Sequence, residues 1–507
     1  MAQGQLPFQY EEERREFGMT ALAGLPVYLD LAQVMKLRES IGRHLHVRDG
    51  GQGWSDAQVV MSLILLNIAG GQCVDDLRVM EGDEGFCRVM RRVELHGLKR
   101  RQRRQLERRW RKGRCRAVPS PSSVFRYLDA FHDEGQERRR EKGKAFIPEM
   151  NGHLRGFWGV NKDLLCFAQR HEPQETATLD IDATLVETRK GDALWSYKHF
   201  KAYQPLNVWW AEQGVVLHTE FRDGNVPAGY EQLRVFEEAL EALPEGVKRV
   251  RMRSDTAGYQ HDLLRWCEEG RSGRFGRIEF AVGCDVTGEF RAAVMDVAEG
   301  EWKRLYVERD GQLVETDRQW AEVCFVPNAI GRSKKGPAYR YLATREPLRQ
   351  LELPGVEVQR SFPFPTMELR GQRYKVFGIV TNMEWDGGEL IGWFYKRCGK
   401  SEEAHLVMKE ELAGGRLPSG KFGQNAAWWW MMVLAFNLNA VMKGLVLGKS
   451  WVSKRMKAIR YHLIRLPGRV LERSRRLIIR LGRGHPCFGL LLDARARINE
   501  LALGPSG

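Results

Sequence analysis

The stretch "TATLDIDATLVE" (residues 176–187) decides the fold, because it alternates in the manner of a β-strand and is rich in β-branched residues. Asp180 and Asp182 are two positions apart, so in a strand their side chains project from the same face. A carboxylate in the middle of a central strand is costly unless it meets a metal ion or a basic side chain. The alternatives are an edge strand, or aspartates paired with nearby lysine and arginine.

Strands and helices alternate after this first strand. The sequence predicts a hairpin, a helix, a strand, a second helix and another strand, at residues 205–224, 230–246, 247–259, 261–270 and 278–286. The order β, ββ, α, β, α, β is typical of an α/β unit with a mixed sheet. Residues 288–375 are different: short alternating runs separated by turns indicate a β-rich insertion.

The composition favours a polyanionic partner. The 507 residues include 80 Lys and Arg against 65 Asp and Glu, a net charge of +15. Nucleic acid is the commonest partner of so basic a chain, and a membrane surface is the weaker alternative. The nine cysteines are scattered and form no CxxC pair, which argues against a disulfide framework and a structural zinc site and favours a reducing cytoplasm.

The most apolar stretch is "AAWWWMMVLAF" (426–436). It is too short to span a bilayer, so it predicts a buried helix. For the three tryptophans in it, core packing is favoured over base stacking.

Basic residues concentrate in "LKRRQRRQLERRWRKGRCR" (98–116), and residues 20–95 have the pattern of several short helices. Short helices with a basic segment are typical of a DNA-binding domain of helix-turn-helix type. The alternative is a solvated basic helix without a ligand. The candidate DNA contacts are Arg100, Arg101, Arg103 and Arg104.

A further acidic residue, Asp255, follows the predicted strand "VKRVRMR" (247–253). Open α/β sheets place ligand groups at the carboxyl ends of their strands. An N-cap of the next helix is an equally good explanation, since Asp is an ordinary cap residue.

The stretch "SEEAHLVMKEEL" (401–412) predicts a helix with Ser401 as its N-cap. Glu402, His405 and Lys409 are spaced so that they share one helical face. A solvated face is the simplest explanation. His405 is more readily explained as a half-buried helical histidine than as a DNA contact.

Carboxylates on a strand, at a strand end and on a helix are hard oxygen ligands of the kind that Mg²⁺ and Mn²⁺ prefer. Two such ions about 3.5–4 Å apart activate a water or a 3′-hydroxyl and stabilise the leaving oxygen of a phosphodiester. The sequence therefore favours a site for two Mg²⁺ ions, with Mn²⁺ as a substitute, in a basic chain that holds DNA by its phosphates.

The chain resembles the DDE transposases of bacterial insertion sequences, a family with an RNase H-like core. More narrowly, it resembles the branch with a β-rich insertion and a Tyr–Arg–Glu–Lys signature. The resemblance rests on "LDIDATLVET", "RMRSDTAGY", "FYKRCGKSEEAHLVMK" and the helical "NAAWWWMMVLAFNLNAVMK", and it extends over residues 20–448.

This resemblance implies that Asp182, Asp255 and Glu402 are the catalytic carboxylates and metal ligands. The family has Asp shortly before Thr, and Thr184 follows Asp182 in that way. Asp180 remains the alternative for the first aspartate.

The signature residues are matched with one departure. Glu402 and Lys409 reproduce the spacing of Glu, six residues and Lys, and Tyr395 and Arg397 resemble the Tyr and Arg. Lys409 is implied to face the phosphate backbone, and Tyr395 and Arg397 are implied DNA contacts. One residue instead of two separates Tyr from Arg, and four instead of three separate Arg397 from Glu402, so Glu403 remains an alternative third carboxylate.

The implied fold is α/β: an RNase H-like mixed sheet with flanking helices, interrupted by the β-rich insertion, plus an N-terminal helical DNA-binding domain. The predicted bounds are 1–150 for the DNA-binding domain, 151–287 and 376–448 for the two parts of the catalytic core, 288–375 for the insertion and 449–507 for a basic helical tail.

We expect a transposase that cleaves the ends of its insertion sequence and joins them to target DNA. Its expected partners are the inverted-repeat ends, target DNA and a second copy of the chain on paired ends. The expected location is the bacterial cytoplasm, at the nucleoid, without a membrane. The alternatives are an RNase H-like DNA nuclease or resolvase without strand transfer, and a catalytically inactive DNA-binding regulator.

Overall fold

The computed structural model describes residues 17–48, 53–109, 116–141, 143–309, 312–327, 339–348, 362, 364–474 and 476–504. Residues 110–115 of the predicted basic segment and residues 310–311, 328–338, 349–361 and 363 of the predicted insertion lie outside the described residues.

The N-terminal part is helical, as predicted. Its elements are β1 (Met19–Thr20), α1 (Pro26–Val34), α2 (Leu37–His44), α3 (Asp56–Ala69), α4 (Leu77–Gly82), α5 (Glu84–Glu94), α6 (Arg100–Arg109), α7 (Pro121–Leu128), α8 (Glu134–Glu137) and α9 (Gly152–His171). Helix α3 shows how local sequence sets the ends of such a helix. Ser55 and Gln58 form a capping box at its start, and Gly70 ends it at a φ of +97°.

The predicted order β, ββ, α, β, α, β is confirmed. It consists of β2 (Thr176–Ala183), the hairpin β6 (Leu206–Trp210) and β7 (Val215–Glu220), α10 (Gln232–Ala242), β8 (Arg249–Ser254), α11 (His261–Glu268) and β9 (Glu279–Cys284). Between β2 and β6 lies a small separate sheet of β3 (Val186–Glu187), β4 (Leu194–Trp195) and β5 (Lys201–Tyr203).

The β-rich segment continues the main sheet. It contains α12 (Gly288–Met295), β10 (Lys303–Arg309), β11 (Gln312–Val323), β12 (Arg340–Pro347), β13 (Thr366–Leu369) and β14 (Gln372–Thr381). Strand β14 pairs antiparallel with β9 from Gly378 opposite Cys284 to Thr381 opposite Ala281. The sheet order is therefore β10-β11-β12-β14-β9-β8-β2-β6-β7, with β13 beside β14.

Helices return after β14. They are α13 (Gly387–Tyr395), α14 (Lys400–Leu406) with a π-helical turn (Val407–Glu411), α15 (Phe422–Val441) with a π-helical end (Met442–Leu447), α16 (Lys449–Val452), α17 (Met456–Ile459) with a π-helical turn (Arg460–Ile464), and α18 (Phe488–Ala502).

The expectation of a purely helical tail is wrong in one respect. Strands β15 (Gly468–Arg473) and β16 (Arg476–Arg480) form a hairpin there, and β15 also pairs with β1. The hairpin is hard to recognise in the sequence because arginines interrupt its short alternating apolar pattern, and because its partner β1 is distant in the chain.

Helix α15 is the buried helix that the sequence predicted, but it is longer than its most apolar stretch. With its π-helical end it runs from Phe422 to Leu447, and by length and composition alone it could cross a membrane. It lies in the core instead: the side chains of Trp428, Trp429 and Trp430 are at most 1% exposed. The N-terminal helices pack around it, so both belong to one hydrophobic core.

Strand β2 is an interior strand of the main sheet, between β8 and β6. It runs parallel to β8, with Ile181 opposite Ser254, and antiparallel to β6, with Asp182 opposite Asn207. The carboxyl ends of β2 and β8 therefore meet at one edge of the sheet, and the residues that follow these two strands lie side by side.

Candidate active site

Asp180 is paired with a basic side chain. Arg253 on β8 donates to it twice, from Nε to Oδ1 at 2.6 Å and from Nη2 to Oδ2 at 2.8 Å. Both side chains are buried. Arg253 also donates to the carbonyl oxygen of Trp393 on α13 at 2.6 Å. The explanation by a nearby arginine therefore holds for this aspartate, whose charge is balanced within the protein.

Asp182 has a different environment. Its side chain is 16% exposed, and burial together with the negative charges of Asp255 and Glu402 raises its pKa to about 7, while Arg397 and the backbone N–H of Ala183 act against the rise. The parallel register that places Ser254 opposite Ile181 brings Asp255 next to Asp182, and the charge of Glu402 also acts on Asp182.

Asp255 is positioned by the parallel pairing of β2 and β8. It follows Ser254, the last residue of β8, and caps the 3₁₀ turn Thr256–Gly258 by accepting a hydrogen bond from the N–H of Ala257 at 3.0 Å. Asp255 is therefore a cap, but of this short turn and not of α11, whose N-cap is Gln260, and it also lies beside Asp182.

The helix that carries Glu402 begins two residues earlier than predicted. Its N-cap is Gly399, at a φ of +79°, and not Ser401, which is buried and donates from Oγ to the carbonyl oxygen of Arg397. Glu402 is the third helical residue, and its Oε2 accepts a hydrogen bond from the N–H of Gly399 at 2.6 Å. A helix beginning at Lys400 needs this cap because its first N–H groups have no intrahelical partner.

Glu402 and Glu403 act on different partners. The charge of Glu402 raises the pKa of Asp182, whereas the charge of Glu403 acts on Lys443, whose pKa is lowered chiefly by burial. The charge acting on Asp182 thus favours Glu402 over Glu403 as the third candidate carboxylate.

Arg397 lies inside the site. Its Nη2 is 3.7 Å from Oδ2 of Asp182, and the side chain is 8% exposed. Its Nε is buried and has no hydrogen-bond partner among the described residues. Arg397, which the sequence predicts to contact DNA, therefore faces the carboxylate of Asp182, and its Nε–H has no described acceptor.

Tyr395, the other residue of the signature pair, has its contacts elsewhere. Its hydroxyl lies 3.2 Å from Oγ1 of Thr344 on β12, and the guanidinium of Arg318 lies 5.5 Å from the ring centroid. Burial raises its pKa. These contacts join α13 to the β-rich segment.

Lys409 lies beside the chain that leaves β2. The π-helical turn Val407–Glu411 carries it, and its Nζ donates to the carbonyl oxygen of Leu185 at 3.2 Å. Burial lowers its pKa.

His405 is more buried than the expected half, since it is 6% exposed. Its Nε2 is 3.3 Å from Nδ2 of Asn207, and its ring lies against Trp209. Burial and the charges of Lys409 and Arg397 lower its pKa to about 3, so the ring is neutral at ordinary pH. A buried neutral ring is not available to hydrogen-bond DNA.

The basic helix α6 is separate from this site. The side chains of its predicted contacts, Arg100, Arg101, Arg103 and Arg104, are exposed. Arg103 donates from Nε to the carbonyl oxygen of Leu98. The contacts described for these arginines include no residue of the carboxylate site.

Arg253 is the residue of this site that the sequence reasoning missed. The signal was present: Arg249, Arg251 and Arg253 alternate on one strand, and the neighbouring strand carries two aspartates on one face. Their pairing depends on the parallel register of β2 and β8, which no local pattern specifies.

The carboxylates fit a divalent cation by their chemistry, since all three offer hard oxygen donors, and the pKa of Asp182 is raised by burial and then by the negative charges of Asp255 and Glu402. In the part of the chain that the structure describes, however, no three His, Cys, Asp or Glu side chains are grouped closely enough to hold a metal ion. The Oε2 atom of Glu402 accepts a hydrogen bond from the N–H of Gly399.

The fold and the site define an α/β protein with a large mixed sheet, many helices and a carboxylate site at the ends of central strands. The family model described as transposase DDE domain group 1 matches residues 17–503, so the chain belongs to this family of DDE transposases. No curated protein matches the chain. A cryo-EM structure of a piggyBac transposase synaptic complex with hairpin DNA is similar, with a TM-score of 0.43 and 9% identity over 89% of this chain and 80% of that chain.

Proposed function

We propose that this chain is an active transposase of a bacterial insertion sequence, with Asp182, Asp255 and Glu402 as its catalytic carboxylates on an RNase H-like core. It would cleave DNA at the inverted-repeat ends of its element and join the freed 3′-hydroxyls to target DNA. The observation that carries the proposal is that the charges of Asp255 and Glu402 act on Asp182, in a chain of a DDE transposase family.

The three carboxylates are proposed to hold two Mg²⁺ ions, for which Mn²⁺ is a substitute. When bound, such a pair supplies activation of the attacking oxygen and stabilisation of the leaving oxygen. Arg397, with its Nη2 3.7 Å from Asp182, neutralises part of the negative charge of the site. Lys409, held at Leu185, adds positive charge next to the same strand end.

DNA binding is proposed to involve a second surface, the exposed arginines of α6. A net charge of +15 supports binding to the phosphate backbone of element ends and target DNA. We further propose that two copies act together on paired ends, and that the protein works in the bacterial cytoplasm at the nucleoid.

The test uses labelled DNA that carries the short inverted repeats flanking the gene in its genome. The unaltered protein with Mg²⁺ should nick these ends and join them to a target plasmid. Asp182→Asn and Asp255→Asn should each lose both reactions and retain DNA binding.

Each other result points to an alternative. Cleavage without joined product would indicate a nuclease or resolvase, and binding without any nicking would indicate a regulator. Full cleavage by Asp182→Asn would contradict the assignment of the first aspartate.

A further inference from the structure

Two large aromatic side chains are exposed on the small sheet of β3, β5 and β4. Trp195 is 63% exposed and Tyr197 is 68% exposed. Large aromatic side chains usually lie in a core or at a binding surface, where they contribute large contact areas. Two of them close together in the chain therefore need an explanation.

The turn that presents them (residues 194–201, the aromatic turn) is internally braced. Ser196 donates from Oγ to the carbonyl oxygen of Phe200 at 2.9 Å and accepts from the N–H of Lys198 at 3.3 Å. His199 has a φ of +62°, which closes the turn. A braced turn loses little conformational entropy when its side chains bind a partner.

The surroundings of the two rings are basic. Residues 187–203 contain four basic side chains, Arg189, Lys190, Lys198 and Lys201, against the two acidic side chains Glu187 and Asp192. The ammonium of Lys198 lies 5.8 Å from the ring centroid of Tyr197. Exposed rings with lysines beside them match the chemistry of a nucleic-acid strand, whose bases stack and whose phosphates are anionic.

The aromatic turn adjoins the candidate active site. Strand β3 begins at Val186, just beyond Asp182 on the same stretch of chain. Lys409 holds the carbonyl of Leu185, and the positive charge of Lys198 contributes to the lowered pKa of Lys409, after burial. The turn therefore lies near the segment that follows Glu402.

We propose that the aromatic turn binds unpaired nucleotides of the DNA strand that enters the candidate active site, with Trp195 and Tyr197 stacking on bases and Lys198 contacting a phosphate. The proposal rests on the proposed function and names the form of DNA that the site takes. Because Asp182 is only 16% exposed, a phosphodiester must enter a recess to reach it. A locally separated strand enters a recess more easily than an intact duplex.

The experiment measures binding of fluorescein-labelled (dT)20 and of a 20-base-pair duplex by fluorescence anisotropy, using the full chain. Trp195→Ala and Tyr197→Ala should each weaken binding of (dT)20 roughly 5- to 100-fold, because stacking contributes about 1–3 kcal/mol per base. Duplex binding should change less than about threefold. Trp195→Phe should retain most of the affinity for (dT)20.

The matched control is Tyr306→Ala, which removes an aromatic side chain, 49% exposed, from β10 at the outer edge of the sheet. It should leave binding of both DNAs unchanged. Lys198→Gln should weaken binding of both DNAs. It should also reduce the slope of the logarithm of the binding constant against the logarithm of salt concentration by about one, as expected for the loss of one phosphate contact.

Three outcomes would overturn the proposal: no binding of (dT)20 by the unaltered chain, equal losses on (dT)20 and duplex in Trp195→Ala, or a change of oligomeric state in that variant with no loss on (dT)20. The last would make the turn a protein interface. None of them bears on the proposed function, which is judged by nicking in the unaltered protein and its loss in Asp182→Asn. Thermal unfolding of each variant checks that it folds.

Discussion

Arg253 and Asp180 form a buried ion pair with two hydrogen bonds, directly next to the strand end that carries Asp182. The pair therefore joins β2 to β8, which supply the two aspartates of the candidate site. Since Arg253 also donates to Trp393, it ties α13 to the same place. Asp180 and Asp182 have the same side-chain chemistry but different partners. Arg253 is within hydrogen-bond distance of Asp180, whereas Arg397 stays 3.7 Å from Asp182.

Removal of Arg253 should strongly destabilise the fold. Arg253→Met leaves the charge of Asp180 buried without a partner, which costs about 3–5 kcal/mol. The measurement is the free energy of unfolding in urea. The double variant Asp180→Leu, Arg253→Met should recover most of the loss, because an apolar pair of similar volume replaces the ions. A loss below about 1 kcal/mol in Arg253→Met would show that the pair is not buried as described.

Glu402 and Glu403 provide a matched pair for activity. Glu402→Gln should reduce cleavage of element ends by about 100-fold or more, since removal of one preorganised charged group from an active site commonly costs this much. It should hardly change stability, because the amide oxygen of Gln can still accept from the N–H of Gly399. Glu403→Gln, near Lys443, should keep cleavage within a few-fold. The measurement is the initial rate of cleavage with Mg²⁺. Loss of cleavage in Glu403→Gln but not in Glu402→Gln would make Glu403 the third carboxylate.

Divalent cations should stabilise the folded protein through the same carboxylates. At a cation concentration ten times the dissociation constant, the gain is about 1.4 kcal/mol. The melting temperature should therefore rise on addition of Mg²⁺ or Mn²⁺ and return with EDTA. Asp182→Asn and Asp255→Asn should abolish the rise, whereas Asp180→Asn, whose side chain is engaged by Arg253, should retain a rise relative to its own metal-free baseline. An equal rise in Asp182→Asn would place the cation elsewhere.

The order of the interior strands could be predicted because each has a local signal. The sequence of β2 alternates, and β8 and β9 are short segments between helices, although β2 is buried on both faces and not on one. The attachment of β14 to β9 could not be predicted, since hydrogen bonding between strands distant in the chain leaves no local signal. The sequence predicts a β-rich segment. It does not predict that this segment continues the main sheet, for the same reason.

Residue types and spacing identified the candidate carboxylates, but their contacts required the fold. Sequence reasoning named Asp182, Asp255 and Glu402 and left Asp180 and Glu403 open. The register of β2 against β8 gives Asp180 its arginine, and Gly399 starts the Glu402 helix by its positive φ. A glycine suits such a cap, yet Ser401 has a stronger preference for cap positions, so the predicted helix start was misplaced by two residues.

His405 should make the stability of the protein depend on pH. Its folded-state pKa is lowered to about 3, chiefly by burial, whereas the unfolded chain binds a proton near pH 6.5. Below pH 6.5 proton binding therefore stabilises the unfolded chain relative to the folded one. The free energy of unfolding falls as the pH falls towards 3. Between pH 7 and pH 5 the unaltered protein should lose on the order of 1–2 kcal/mol more than His405→Gln, in which glutamine can still accept from Asn207.

The measurement is the free energy of unfolding of both proteins at pH 7, 6 and 5, since the difference between them removes the contributions of other groups. If the pH dependence of His405→Gln were parallel to that of the unaltered protein, the ring of His405 would accept a proton as readily in the folded chain as in the unfolded one. The ring of His405 would then be accessible to water. Its hydrogen bond to Asn207, which pairs with Asp182 across β2 and β6, would not be buried as described and would not help to hold the candidate site in place.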